Sequence, residues 1–137
     1  MKRVLFDTNI ILDIALERAP HFEDAFELFA LIDQQLLVGH ITASTVTDIY
    51  YIAKKEKGHQ VAVDFLEGLV SLVEVIGIDK DIILQALAAE MKDFEDAVQA
   101  SAAEVNDIEF IITRNKSDFT NTSVQIATPK EFLSYPR

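Results

Sequence analysis

The sequence predicts a three-layer α/β/α domain around a central parallel sheet of four or five strands. Short apolar runs alternate with longer stretches of helical periodicity along the chain. Strands separated by helices pair in parallel through right-handed crossovers. The 137 residues fit one domain, expected to span 1–137, and half of them are hydrophobic, enough for a sizeable core. The four glycines and three prolines are not clustered, and no linker, repeat or low-complexity tract interrupts the pattern.

Taken in order, the first apolar run, 3–6, stops at Asp7 and reads as a buried strand, followed by a helix from about Asn9. Residues 21–33 carry Phe22, Ala25, Phe26, Phe29 and Ile32 at helical spacing. A second strand is expected over 36–41. Helices follow over 44–55, with Val46, Ile49, Tyr50 and Ala53, and over 59–70, with Ala62, Phe65, Leu66, Leu69 and Val70. The β-branched run 72–76 precedes Gly77 and reads as a third strand. Helices over 79–91 and 93–105 lead to strands over 108–113 and 123–127. Thr128, Pro129 and Glu131 spell a helix start, with threonine at the cap, proline first and glutamate three after the cap. That short last helix packs Phe132 and Leu133.

Composition excludes several chemistries. No cysteine is present, which removes a disulfide framework, a thiolate metal site and a cysteine nucleophile, and suits a reducing, cytoplasmic setting. The three histidines, His21, His40 and His59, are scattered, against a His-rich zinc site. No apolar run nears the roughly 18–20 residues of a membrane span. The start, MKRVLFDTN, is too short in its apolar part for a signal peptide. The net charge of −11 argues against broad contacts to a polyphosphate, while leaving room for a local basic rim. The acidic surplus reads either as a solvated surface or as acids collected in a metal pocket.

In open parallel α/β sheets the functional crevice lies beyond the carboxyl ends of the strands. Acids gather there. Asp7, Thr8 and Asn9 follow the first strand, and Thr47 and Asp48 stand one turn into the helix after the second. Asp96 opens the helix that feeds the fourth strand, and Thr113 to Phe119 (TRNKSDF) follows it. Each acid alone also reads as a helix cap: Asp7 before its helix, Asp48 three after Thr45, Asp96 three after Asp93. Asp93 is the best candidate for a pure cap. Caps do not need apolar surroundings, yet Asp7 follows Val4, Leu5 and Phe6, Asp48 precedes Ile49, and Asp96 is framed by Phe94 and Ala97. Two carboxylates about 6 Å apart repel by roughly 3 kcal/mol at an effective dielectric of about 20. Three together raise one another's pKa or require a cation. Oxygen ligands without Cys or His suit Mg²⁺ or Mn²⁺, and such an ion activates water and stabilises charge at phosphorus.

The DTN after the first strand, Asp48, the DFEDA segment and TRNKSDF together resemble the PIN domain, in order and spacing, over nearly the whole chain. The resemblance implies a metal-dependent nuclease acting mainly on RNA, and small stand-alone examples are commonly VapC-type toxins of toxin–antitoxin pairs. By that likeness Asp7, Asp48 and Asp96 are core Mg²⁺ or Mn²⁺ ligands. Asp118 is preferred for the fourth acidic position, with Asn115 as the alternative. Position 48 is often Glu in this family, so the shorter Asp48 must sit closer or act through water, and the amide at 115 weakens a second metal site. The likeness also implies an RNA substrate, a small antitoxin partner that presents a basic side chain, and a homodimer.

The polar neighbours carry two readings each. Thr8 and Asn9 close the turn or orient Asp7. Thr113 caps a helix or supports the acids. Arg114 and Lys116 are solvated or touch substrate phosphate. Lys54, Lys55 and Lys57 complement a helix C-terminus, and Phe22, Phe26 and Phe29 are expected in the core rather than as a base-stacking platform. Two other functions compete. A metal-dependent phosphohydrolase or phospho-acceptor also places Asp after its first strand, but Asn9 stands where a haloacid-dehalogenase-like enzyme needs a second Asp. A catalytically silent binding module with this fold is favoured by the net charge of −11 and by Asn115, and opposed by the complete Asp7, Asp48, Asp96 set.

Overall fold

The computed structural model describes residues 1–136. In chain order the elements are β1 (Lys2–Phe6), α1 (Thr8–Ala15), α2 (Phe22–Asp33), β2 (Leu37–Thr42), α3 (Ala43–Lys57) and α4 (His59–Leu72), then β3 (Glu74–Ile76), α5 (Lys80–Ala88), α6 (Phe94–Val105), β4 (Phe110–Ile112), β5 (Gln125–Ala127) and α7 (Pro129–Leu133). One turn of 3₁₀ helix, Lys116–Asp118, lies between β4 and β5.

The five strands form one sheet of order β3-β2-β1-β4-β5, parallel throughout. The chain builds outward from β1 through β2 to β3, then returns to the other side of β1 for β4 and β5. The direction reverses beside β1, and a crevice opens at the carboxyl ends of the strands on either side of such a switch point. The register places Val4 beside Gly39 and Phe110, and Phe6 beside Ile112.

Alternation along the strands separates two cores, as expected of a sheet covered on both faces. Val4, Phe6, Phe110 and Ile112 pack with α1, α2 and Phe132 of α7 on one side. Leu5 and Ile111 pack with Ile82 and Ala86 of α5 and with Ala97, Ala100 and Ala103 of α6 on the other. The alanines of α6 let that helix lie close on the sheet. Gly39 does the same across the first face: a Cβ there would stand 2.7 Å from both Ile32 Cδ1 and Phe6 Cε2. Gly58, at φ +92°, makes the turn from α3 into α4.

Some expected boundaries move. α4 runs through Leu72, so β3 keeps only Glu74–Ile76 of the expected 72–76; the backbone becomes extended at Val73. α5 stops at Ala88, where Ala89 turns extended. β4 is restricted to the three residues that pair with Val4–Phe6. α2 buries Ala25, Leu28, Leu31 and Ile32, not the phenylalanine stripe. Phe26 is 56% exposed, whereas Phe29 packs on Phe6 with ring centroids 5.2 Å apart. The helix start at Thr128 forms as expected: Glu131 N–H donates to Thr128 Oγ1 at 3.2 Å, and Thr128 N–H to Glu131 Oε1 at 2.9 Å. Among the described residues no helix is long and apolar enough to cross a membrane.

Candidate active site

Asp7 ends β1 at the switch point. Its side chain does not cap α1. It is buried, and both carboxylate oxygens are held: Thr113 Oγ1 donates to Oδ2 at 2.8 Å, and Gln99 Nε2 donates to Oδ1 at 3.1 Å. Asp7 N–H donates to Ile112 O at 2.9 Å, which carries the β1–β4 pairing up to the site. Thr113 therefore acts on Asp7 directly; its hydroxyl also accepts from Asn115 N–H at 3.2 Å.

The second segment is tied to the first by hydroxyl groups. Thr42 caps α3, accepting from Thr45 N–H at 3.3 Å. Thr45 Oγ1 lies 2.9 Å from Thr8 Oγ1 and 3.2 Å from Thr42 Oγ1. This buried chain joins the N-termini of α1 and α3 and places Asp48, in the second turn of α3, across from Asp7. Because α3 begins at Ala43, Asp48 does not fill the third-residue position of a capping box.

α6 supplies the third wall. Asp93 is its cap, accepting from Asp96 N–H at 3.1 Å. Asp96 itself projects into a cleft of about 420 Å³, which it lines with Asp7, Thr8, Asn9, Asp48, Asp93, Glu95, Gln99 and Asp118. Asp118 rather than Asn115 lies on the wall of the cleft, and Asn115 Nδ2 donates to Asp118 Oδ1 at 3.1 Å. The amide thus positions the carboxylate instead of replacing it.

Two residues here escape the sequence reading. Gln99 lies one turn beyond Asp96 on the same face of α6, a spacing that the sequence does display. It is buried, and its Oε1 has no hydrogen-bond partner among the described residues. Glu95 neighbours Asp96 and shares a hydrogen bond with Asp48 across the cleft. That contact needs the tertiary fold and leaves no trace in the sequence.

The electrostatics are those of crowded anions. Glu95 is raised to about 7 by its hydrogen bond to Asp48, then by burial and the charges of Asp48, Asp93 and Asp96. Asp96 is raised to about 7 by burial, then by Asp7, Asp93 and Asp118. The two basic candidates are tied down elsewhere. Arg114 Nε lies 3.0 Å from Asp13 Oδ2, and Lys116 Nζ lies 3.2 Å from Glu131 Oε2. Neither lines the cleft.

These residues fit a hard divalent cation by donor chemistry. They are carboxylates and one amide oxygen, that oxygen is buried and has no hydrogen-bond partner among the described residues, and the acids push each other toward protonation. Among the described residues no three His, Asp or Glu form a ready-made ligand group. The acids come from separate elements around an open cleft, so closing on an ion requires them to draw inward.

A parallel α/β sheet with carboxylates around its switch point describes a class of proteins that work with divalent metals on phosphate esters. The chain belongs to one family of that description: the PIN domain family model matches residues 3–117. A toxin–antitoxin complex from Klebsiella pneumoniae is 27% identical and aligns with a TM-score of 0.70 over 92% of this chain and 97% of that one. A DNA-bound VapBC from Salmonella typhimurium is 18% identical, with a TM-score of 0.69 over 94% and 99% of the two chains. VapC20 of Mycobacterium tuberculosis, described as a sarcin–ricin loop cleaving toxin, is 16% identical, with a TM-score of 0.65 over 79% and 86%. No curated protein matches the sequence.

Proposed function

We propose that this protein is a divalent-metal-dependent endoribonuclease, a single domain over 1–137, acting in the cytoplasm as the toxin of a toxin–antitoxin pair. The observation that carries the reading is Asp7, clasped on both oxygens by Gln99 and Thr113, with Asp48, Asp96 and Asp118 on the walls of the same cleft. Family membership and the toxin–antitoxin structures with the same fold support it.

Asp7, Asp48 and Asp96 would hold Mg²⁺ or Mn²⁺, with Asp118 as the fourth acid. When bound, the ion supplies charge to the phosphoryl oxygens and acidifies water for attack. The chain's own residues do the rest. Gln99 and Thr113 fix the Asp7 carboxylate so that it need not reorganise. Asn115 aims Asp118. The carboxylates position the ion and accept the proton of the attacking water. Asn9 lines the cleft mouth and is exposed there. The products carry a 5′-phosphate and a 3′-hydroxyl. A phospho-acceptor role fits less well, because Asn9 stands where a haloacid-dehalogenase-like enzyme needs a second Asp.

The partners follow from charge and apolar surface. A cleft lined by six acids attracts a basic side chain from a small antitoxin. Exposed Tyr51, Val61 and Val70 of the α3–α4 hairpin, and Leu84 and Leu87 of α5, support assembly with an antitoxin or as a homodimer.

The test is cleavage of mixed RNA by the purified chain with Mg²⁺ or Mn²⁺, reading the chemistry of the new ends. Asp7→Asn is expected to lose at least about 100-fold in rate, the scale of removing a preorganised charge. Metal-independent cleavage, or equal rates for the variant, contradicts the proposal.

A further inference from the structure

A second pocket, of about 290 Å³, lies beside the acidic cleft and has the opposite character. Its walls carry His21, Arg114 and Lys130, with Asp24 as the acid among them. In a chain of net charge −11, two cationic side chains and an imidazole converging next to an acidic cleft stand out. We infer that this pocket binds a backbone phosphate of the substrate strand, one or two nucleotides from the bond that is cut. The inference rests on the ribonuclease reading and extends it to the path of the strand.

Arg114 carries the argument. Asp13, on α1, is fully buried, and neither of its oxygens makes a hydrogen bond among the described residues. It faces Arg114 Nε at 3.0 Å and Arg18 Nη1 at 3.9 Å, so two guanidiniums answer one carboxylate and the corner keeps a positive surplus. The ion pair meets Arg114 at Nε, which is buried. Its terminal nitrogens make no hydrogen bond among the described residues, and the side chain is 30% exposed on the pocket. A guanidinium held from behind with its fork free is prepared for a phosphate, which it grips through two parallel N–H bonds. Lys130 is 85% exposed and only loosely placed, 3.9 Å from Asp24, so it can turn to an anion.

The location fits a continuous strand. Arg114 directly follows Thr113, which holds Asp7. Asp13 stands six residues beyond Asp7 along α1, roughly 9 Å at 1.5 Å per residue. Thr128, at the end of β5, closes the far side. The pocket therefore flanks the cleft on the same sheet edge. The lysines at the end of α3 lie at the opposite end of that helix from its capped start, which the hydroxyl chain ties to the site.

The experiment measures binding of a fluorescent single-stranded RNA of mixed sequence to full-length Asp7→Asn protein with Mg²⁺, across a salt series. Adding His21→Gln and Lys130→Gln, both away from the buried Asp13 pair, is expected to weaken binding about 5-fold or more. It should also reduce the slope of log affinity against log salt by roughly 0.7–1, about one phosphate contact. Arg114→Lys should weaken binding while keeping the charge, and Lys55→Gln with Lys57→Gln should change neither affinity nor slope. Unchanged affinity in the His21/Lys130 variant, an equal loss in the Lys55/Lys57 variant, or no binding by the parent overturns the inference. Failure of the ribonuclease reading shows separately, as wild-type protein that cleaves no RNA with any divalent ion.

Discussion

Asp7 and Asp96 illustrate two ways in which a carboxylate is made ready. Asp7 is fixed by two hydrogen bonds from neutral donors. Asp96 is instead destabilised as an anion, by burial and by Asp7, Asp93 and Asp118. That difference sets a pH dependence. Asp96 and Glu95 are raised to about 7 in the folded chain, above their ordinary values of 3.8 and 4.5. Between about pH 4 and 7 the folded state therefore binds more protons than the unfolded state at these positions. Their contribution to the stability of the metal-free protein is fully present below pH 4 and is lost as pH rises through 7. Melting temperatures in EDTA should record that decline. Asp96→Asn removes one charge at constant shape; it should flatten the decline and leave the metal-free protein as stable as wild type at pH 7.5, or more so by about 1 kcal/mol. A variant that melts clearly below wild type at that pH would show that Asp96 stabilises the fold rather than straining it.

At the scale of elements, helix and strand order were legible because period and punctuation agree along most of the chain. The capping box at Thr128 was written in three residues, and Asp93 was recognisable as a cap. The errors have physical causes. In α2 two apolar stripes compete; the sheet accepts the narrower face of Ala25, Leu28, Leu31 and Ile32, because Gly39 admits Ile32 at close range. Phe26 is left outside. β3 and β4 are shorter than their apolar runs because strand length is set by pairing partners, which a local pattern does not contain. At the site, the sequence puts Asp7, Asp48 and Thr113 just after strands and Asp96 at the start of the helix before β4, whereas Asp118 is singled out only through the PIN resemblance. Glu95 could not be read, since its meeting with Asp48 joins residues 47 positions apart. Gly39→Ala tests the packing account at this scale. Its new methyl meets the fully buried ring of Phe6 as well as the mobile end of Ile32, so a loss of about 1–3 kcal/mol is expected in denaturant melts. A change within a few tenths would show that α2 stands off the sheet more freely than these contacts imply.

Across the whole molecule the sheet order does the organising. Starting at the centre and returning to it brings the ends of β1 and β4 together, and Thr113 bonds to Asp7 where they meet. Helices α3 and α6, from opposite faces of the sheet, then contribute Asp48 and the Glu95–Asp96 pair. The result is a protein that concentrates repulsion in one cleft and a compensating set of cations, on Arg114 and its neighbours, in the next. Such a cleft gains most from a divalent ion. The most direct test is therefore a thermal melt of wild type, Asp7→Asn and Asp96→Asn with and without Mn²⁺. At a hundredfold excess over its dissociation constant, Mn²⁺ should stabilise wild type by about 2.7 kcal/mol, a melting shift on the order of 10 °C for a domain of this size. Both variants should lose most of that shift. A wild-type melting point indifferent to millimolar Mn²⁺ and Mg²⁺ would contradict the metal site, and with it the catalytic assignment.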